Sequence, residues 1–451
     1  MALGKRLASR QQELFIAAAE LAQAPGHAFY ARLGKLLAAA EFDRWAENEC
    51  RPYYADGGRP GIPPGVYFRM LLIGYFEGID SQRGIAWRCA DSLSLKKFLG
   101  CGPTESTPDH SSLTKIRQRL GAEVYERMFR FVLALVAEHK LLAAHEVGVD
   151  STTLEANAAM KSIVRKDTGE DWREYVTGLM RESGAIGPEE TPSAAEVAKF
   201  DKKRKGKKVS NNDWENPHDP DAKIAKMKDG RTHLAYKAEH VVDLQTEVIL
   251  AAEIYGANEA DTATLVPSVE AAQDHVDATE TCRLIGKIAA DKGYHAIDSL
   301  TAVEQSALVG VKTYIPERET EWNWSDKTPE QKRAVLNNRA RTERDYGKRL
   351  QRKRSERVER SFAHVCETGG GRRTWLRGLD NVRKHHLVKA AAHNLGLILR
   401  KLLGVGKPRA YATLCPLVQL LHFAPMTLRS FLRIVDAAKR NSRRWRLRLS
   451  A

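Results

Sequence analysis

Apolar residues recur at spacings of three and four over residues 18–21, 31–40, 67–76 and 124–137, a period that predicts helices through the first 135 residues. Two Gly/Pro-rich stretches, 57–65 and 100–103, cut this helical region into pieces. After it the pattern changes. Short apolar runs bounded by turn residues predict strands at 146–150, 233–242, 247–255, 284–291 and 311–315, with Asp243-Leu244-Gln245-Thr246 as a hairpin turn between the second and third. Helices are expected from Asp261, with that residue as N-cap, from His295 to Gln305, and as one continuous basic helix over 339–360. A hairpin followed by alternating strand and helix predicts a mixed sheet with helices on both faces, an α/β core preceded by an all-helical N-terminal domain.

One stretch departs from globular composition. Residues 156–225 include a run, 199–208, with seven basic side chains, and a polar, turn-rich segment at 211–221. It reads as an insertion, a mobile loop or lid, either solvated or ordered on a polyanion through Lys203, Arg204 and Lys205.

Three acids stand out against this pattern. Asp150 closes Val147-Gly148-Val149, with Ser151-Thr152-Thr153 after it suited to a turn, and Asp291 closes Ile288-Ala289-Ala290 ahead of the turn residue Gly293. A carboxylate at the C-terminal end of a buried strand is fixed in direction with its oxygens at the open edge of the sheet. Glu359 lies in the basic helix, in Arg357-Val358-Glu359-Arg360-Ser361-Phe362. Two Asp and one Glu are a sufficient set of hard oxygen ligands for magnesium. Taken singly, each has a plainer role: a turn former or helix N-cap for either aspartate, a salt-bridge partner of Arg354, Arg357 or Arg360 for Glu359. Glu356 is the rival third acid. Glu359 is preferred because Val358 and Phe362 flank it at helical spacing, which leaves Glu356 to pair with Arg352 or Arg360.

The blocks Val147-Gly148-Val149-Asp150-Ser151-Thr152, Ala289-Ala290-Asp291-Lys292-Gly293-Tyr294 and Arg354-Ser355-Glu356-Arg357-Val358-Glu359-Arg360-Ser361-Phe362-Ala363-His364 resemble the three catalytic blocks of bacterial insertion-sequence DDE transposases, of the IS5/IS1182 kind within the wider IS4 group. The similarity runs over residues 40 to 405. It includes Gly58-Arg59-Pro60-Gly61-Ile62-Pro63-Pro64 and Thr107-Pro108-Asp109-His110 in the helical region, and Arg377-Gly378-Leu379-Asp380-Asn381-Val382 with Ala391-Ala392-His393-Asn394-Leu395 near the end. The chain departs from the wider group around Glu359: Ser355 and Val365 stand where that group carries an Arg and a Lys.

The resemblance implies an RNase H-like catalytic core over 140–405 with the insertion inside it, a DNA-binding domain over 1–135, and a basic helical tail over 406–451. It implies a DNA transposase in which Asp150, Asp291 and Glu359 hold two Mg2+ ions, with Mn2+ as a substitute. Its partners are double-stranded DNA, both terminal inverted repeats and target, and a second copy of the chain in a synaptic complex. An inactive DNA-binding repressor and a structure-specific nuclease of the same fold are the alternatives.

Composition fits this. The 451 residues carry 72 Lys and Arg against 57 Asp and Glu, a formal charge of +15, which favours polyanions because each neutralised phosphate releases counterions. The basic helix would place Arg349, Arg352, Arg354 and Arg357 on phosphate, since so many like charges repel unless an anion balances them. Short helices between 82 and 120, carrying Arg83, Arg88, Lys115 and Arg119, suit a helix-turn-helix-like module or an ordinary basic surface. Trp322 and Trp324 suit stacking on a base or local packing. Six cysteines show no C-x-x-C pair or ligand spacing, and no apolar run reaches the roughly 20 residues of a membrane span. A reducing cytoplasm, at the nucleoid and away from any membrane, is the expected setting.

Overall fold

Val147, Gly148 and Val149 are buried in succession, as a strand covered on both faces requires, and this sets β1 (Glu146–Glu155) at the centre of a mixed sheet. The structure is a computed structural model that describes residues 26–411 apart from 56, 58–60, 205–209, 228–229, 307, 309 and 319–323. Ahead of β1 come seven described helices: α1 (Ala28–Ala39), α2 (Phe42–Cys50), α3 (Pro64–Glu77), α4 (Gln82–Ala90), α5 (Leu93–Leu99), α6 (His110–Arg119) and α7 (Ala122–Glu138). The expected helices at 31–40, 67–76 and 124–137 are α1, α3 and α7, and the expected helix at 18–21 lies outside the described residues. Their apolar faces join one hydrophobic core with the sheet, so the helical region and the α/β core are not separated by a polar seam.

After β1 the chain makes the insertion: β2 (Val164–Arg165), α8 (Trp172–Glu182), α9 (Ala194–Lys203), β3 (Trp214–Glu215) and β4 (Lys223–Lys226). The described part is folded, which corrects the expectation of a mobile loop. Capping boxes at Asp171/Glu174 and Ser193/Glu196 start both helices, Val176, Met180 and Val197 form a small separate core, and Arg165 lies over the rings of Tyr175 and Trp214.

The chain returns through β5 (Thr232–Asp243) and β6 (Ile249–Gly256), crosses by α10 (Asp261–Asp277) to β7 (Lys287–Ala290), then by α11 (Ile297–Gln305) to β8 (Lys312–Tyr314). β1 pairs antiparallel with β5 from Val147↔Asp243 to Glu155↔Ala235, and parallel with β7. β6 is antiparallel to β5, β8 parallel to β7, and β4 pairs with the first residues of β5. β1 is longer than expected. Ser151-Thr152-Thr153 extends the strand instead of turning, because β-branched threonines suit a pleat that β5 pairs throughout.

Four described helices follow: α12 (Pro329–Glu343), α13 (Asp345–Phe362), α14 (Leu379–Leu403) and α15 (Pro408–Tyr411). The basic helix expected over 339–360 is therefore two helices, broken at Arg344, whose backbone is extended (ψ 155°). Gly347 allows the joint, since a Cβ there would run into the Arg341 carbonyl oxygen. α13 and α14 pack on the face of the sheet that bears Gly148 and His240, and α10 packs on the other. Asp261 stands in the first turn of α10, whose N-cap is Ala260, and its carboxylate is engaged elsewhere. Trp324 packs partly buried against the main core, and Trp322 lies outside the described residues. Most of the basic tail beyond residue 411 lies outside them too.

Two buried asparagines close the sheet's flanks. Asn394 of α14 accepts from the Ile249 N–H (3.0 Å) and donates to its carbonyl (2.8 Å), and Asn338 of α12 does the same for Ile315 (3.0 and 2.8 Å). Each side-chain amide satisfies a backbone pair that would otherwise be buried without partners.

Candidate active site

Register places two of the expected acids side by side. Val149 pairs with Ala290 at the last rung of the parallel β1–β7 ladder, and Asp150 and Asp291 are the next residue of each chain segment. Asp291 Oδ1 accepts from the Lys292 N–H (2.7 Å), which holds the exposed side chain at the mouth of the following turn. Asp150 is mostly buried. Its Oδ1 accepts from the Ser151 N–H (2.8 Å) and its Oδ2 from Arg354 Nη1 (2.8 Å). Burial raises the Asp150 carboxyl above the usual range; Arg354 opposes the shift, and Asp291 and Asp261 add to it.

The third acid arrives on α13, which buries Leu350, Arg354, Val358 and Ser361 against the sheet. Gln351 donates to the carbonyls of Ala290 and Tyr314, so its flank of the helix lies at the carboxyl ends of β7 and β8. Lys353 reaches Glu146 at the start of β1, which puts its flank at the opposite edge. At about 100° per residue Glu359 falls on the Gln351 flank. Glu359 is exposed, and its carboxylate makes no ion pair or side-chain hydrogen bond among the described residues. Arg354, Arg357 and Arg360 are engaged by Asp150 or Glu247, and Glu356 holds Arg360 (2.6 Å). Glu359 thus shares an edge with the aspartates without converging on them: among the described residues no three acidic, His or Cys groups are placed to hold a metal ion.

Of the expected DNA contacts, Lys203, Arg349 and Arg352 are exposed, Arg204 pairs with Asp201 (3.1 Å), and Lys205 lies outside the described residues. Arg354 is not a surface residue, and Arg357 is engaged by Glu247. Much of the charge on α12 and α13 is balanced internally, by Glu317 on Arg339, Glu304 on Arg341 and Glu146 on Lys353, so an external anion is not required to hold these helices together.

A polar cluster escaped the sequence reading. Lys237 Nζ lies 2.7 Å from Asp261 Oδ1, 2.7 Å from Thr264 Oγ1 and 3.3 Å from Glu239 Oε2; Tyr294 donates to Glu239 Oε2 (2.8 Å), and Ser151 Oγ donates to Asp261 Oδ1 (3.0 Å). These groups stand beneath a pocket of about 450 Å³ lined by Ser151, Thr153, Lys237, Asp261, Gly293 and Arg318, on the α10 face of the sheet. The available signal was the spacing of two between Lys237 and Glu239, which puts both on one face of a strand.

Family comparison gives two matches. Residues 19–119 match a family model described as a transposase domain (DUF772), and residues 211–395 match the transposase DDE domain. Their order along one chain defines a DDE transposase. The chain belongs with the insertion-sequence DDE transposases of the IS5/IS1182 type. Asp291 and Glu359 lie inside the second match, and Asp150 between the two. No curated protein and no solved structure matches the chain. Among the described residues no helix is long and apolar enough to cross a membrane, and the five described cysteines are free.

DDE transposases work with divalent metal ions. The donors here suit one in chemistry, since Asp150 and Asp291 are hard oxygen ligands carried by neighbouring strands.

Proposed function

We propose that this chain binds the ends of its own insertion sequence as double-stranded DNA and catalyses metal-dependent phosphodiester cleavage and strand transfer. The observation that carries the reading is the register of Val149 against Ala290, which brings Asp150, in the middle of β1, next to Asp291, the residue after the end of β7. The strand order β6-β5-β1-β7-β8, three antiparallel strands followed by two parallel ones, supports an RNase H-like core.

Asp150, Asp291 and Glu359 would hold the metal, Mg2+ or its substitute Mn2+, two ions in all. Bound there, the ions supply activation of water or a DNA 3′-hydroxyl and charge neutralisation at the leaving oxygen. The chain's own residues do the rest. β1 and β7 fix the direction of both aspartates, and α13 carries Glu359 to the same edge. Exposed Arg349 and Arg352 on α13, together with Lys203 of the insertion, contact backbone phosphate, and two copies bring the element ends together. The work is done in the cytoplasm, at the nucleoid.

The test is cleavage and joining of a DNA duplex carrying the element's terminal repeat, with Mg2+. D150A, D291A and E359A should each abolish both reactions while end binding survives. A variant that nicks at the parental rate removes its residue from the assignment. Cleavage without joining by the parent protein would favour a nuclease.

A further inference from the structure

Behind the helix that carries Glu359 lies a second charged site. Glu247, in the turn between β5 and β6, is buried, and its backbone is held at φ 70°, a conformation that non-glycine residues rarely adopt. Its carboxylate gathers three guanidiniums from two helices. Arg357 and Arg360 of α13 both donate to Oε1, and Arg400 of α14 lies 3.3 Å from Oε2. The three side chains keep between 30% and 43% of their surface exposed, so each presents N–H groups to solvent after Glu247 is satisfied.

The charge is not balanced. Lys407 and Arg409 extend the patch, with Lys407 over the Tyr75 ring and Arg409 on the Glu77 carbonyl (2.9 Å). Five cations therefore face two carboxylates, Glu247 and the Glu356 that holds Arg360. The neighbours register the excess. Lys407 is pushed down to about 8, by burial first and then by Arg400 and Arg409, and Arg400 is lowered by burial and by Arg360. The cluster keeps an excess of positive charge that an added anion would relieve.

We infer that the cluster formed by Arg357, Arg360, Arg400, Lys407 and Arg409 around Glu247 is a DNA-backbone clamp, taking phosphates of the duplex whose strand is cut on the far flank of α13. This rests on the transposase reading and adds a surface to it. Guanidiniums pre-oriented by a buried carboxylate suit the paired oxygens of a phosphodiester. An α-helix with its side chains is about 10–12 Å across, and duplex DNA presents one phosphate per roughly 1.7 Å of axis, so one duplex can reach both flanks of α13. Glu247 acts as an organiser: it spaces the guanidiniums and leaves the site cationic.

The experiment measures affinity for a labelled duplex of arbitrary sequence, without divalent metal, between about 50 and 200 mM salt. Two double variants are compared with the parent. R400Q/K407Q leaves Arg357 and Arg360 on Glu247, and K407Q/R409Q leaves all three arginines there. Each should flatten the log–log salt dependence by about 0.9 per lost contact, up to about 1.8, with a melting temperature equal to or above the parent's. An unchanged slope in both variants, or a lowered melting temperature with an unchanged slope, makes the cluster a structural clasp and overturns the inference. A parent protein that binds no DNA at all sinks the transposase reading itself, a different failure from a parent that binds while the variants keep its slope.

Discussion

Arg354 Nη1 sits 2.8 Å from Asp150 Oδ2, with 9% of the arginine side chain and 25% of the aspartate exposed. Without metal, the arginine is the cation that balances the central carboxylate. Its Nε has no hydrogen-bond partner among the described residues, and its Nη2 donates to the hydroxyl of its chain neighbour Ser355 (3.2 Å). The tie between α13 and β1 at this point therefore runs through Asp150.

For this pair a double-mutant cycle in metal-free protein is decisive. R354Q and D150N should each destabilise the fold by about 3 kcal/mol, because each leaves a largely buried charge uncompensated. The double variant should recover about 1–3 kcal/mol of that loss in denaturant unfolding. Simple additivity would mean that the contact does not couple the two residues.

Glu359 and Glu356 should separate in function. Glu359 is the acid on the Gln351 flank, and Glu356 is committed to Arg360. E359Q is expected to lose cleavage by at least a hundredfold, and E356Q to keep most of it at a stability cost of about 0.5 kcal/mol. Equal losses in a cleavage assay, or the reverse order, would reassign the third acid.

Gly148 is where α13 closes on the sheet. A Cβ there would lie 2.7 Å from Leu244 Cδ2, 2.8 Å from Val358 Cγ2 and 3.0 Å from Arg354 Cγ. G148A should cost about 1–3 kcal/mol by overpacking and lower cleavage by moving Arg354 and Glu359 together. Parental stability with parental activity would show that the helix can shift without consequence.

His240 and His386 should make the fold acid-sensitive. Their Nε2 atoms are 2.8 Å apart, and His240 Nδ1 meets Ser361 Oγ at 2.9 Å, so one buried chain links α14, β5 and α13. Burial first, and neighbouring cationic or imidazole groups after it, hold His386 down to about 3 and His240 well below its ordinary value. Unfolded histidines titrate near 6.5, so below that pH the unfolded chain binds protons that the folded one refuses. Their contribution is complete above about 6.5 and is lost as pH falls toward about 3, by up to about 1.4 kcal/mol per unit for each ring. Melting temperature against pH reads this directly, and a curve flat from about pH 7 to about pH 5, across the unfolded value of about 6.5, would contradict it.

Elements whose signals are local were legible in the sequence. Asp243-Leu244-Gln245-Thr246 marked the β5–β6 hairpin, and the run ending in Ala290 marked the strand that delivers Asp291. Ser151-Thr152-Thr153 misled, because polar residues that suit a turn extend a strand when β5 is there to pair with them. The joint at Arg344 was hidden by helix-favouring neighbours, and the folded insertion by an apolar core of three residues scattered over more than one helix. Pairings such as Arg357 with Glu247, or Lys237 with Asp261, join positions far apart in the chain and leave no periodic trace.

The asparagines that close the sheet constrain how two copies can meet. With Ile249 and Ile315 already hydrogen-bonded to Asn394 and Asn338, those flanks offer no free backbone ladder at these points to a strand from another chain. Pairing of two copies through a continuous sheet is therefore blocked there, and an assembly on DNA has to be built from helix surfaces and from the duplex itself.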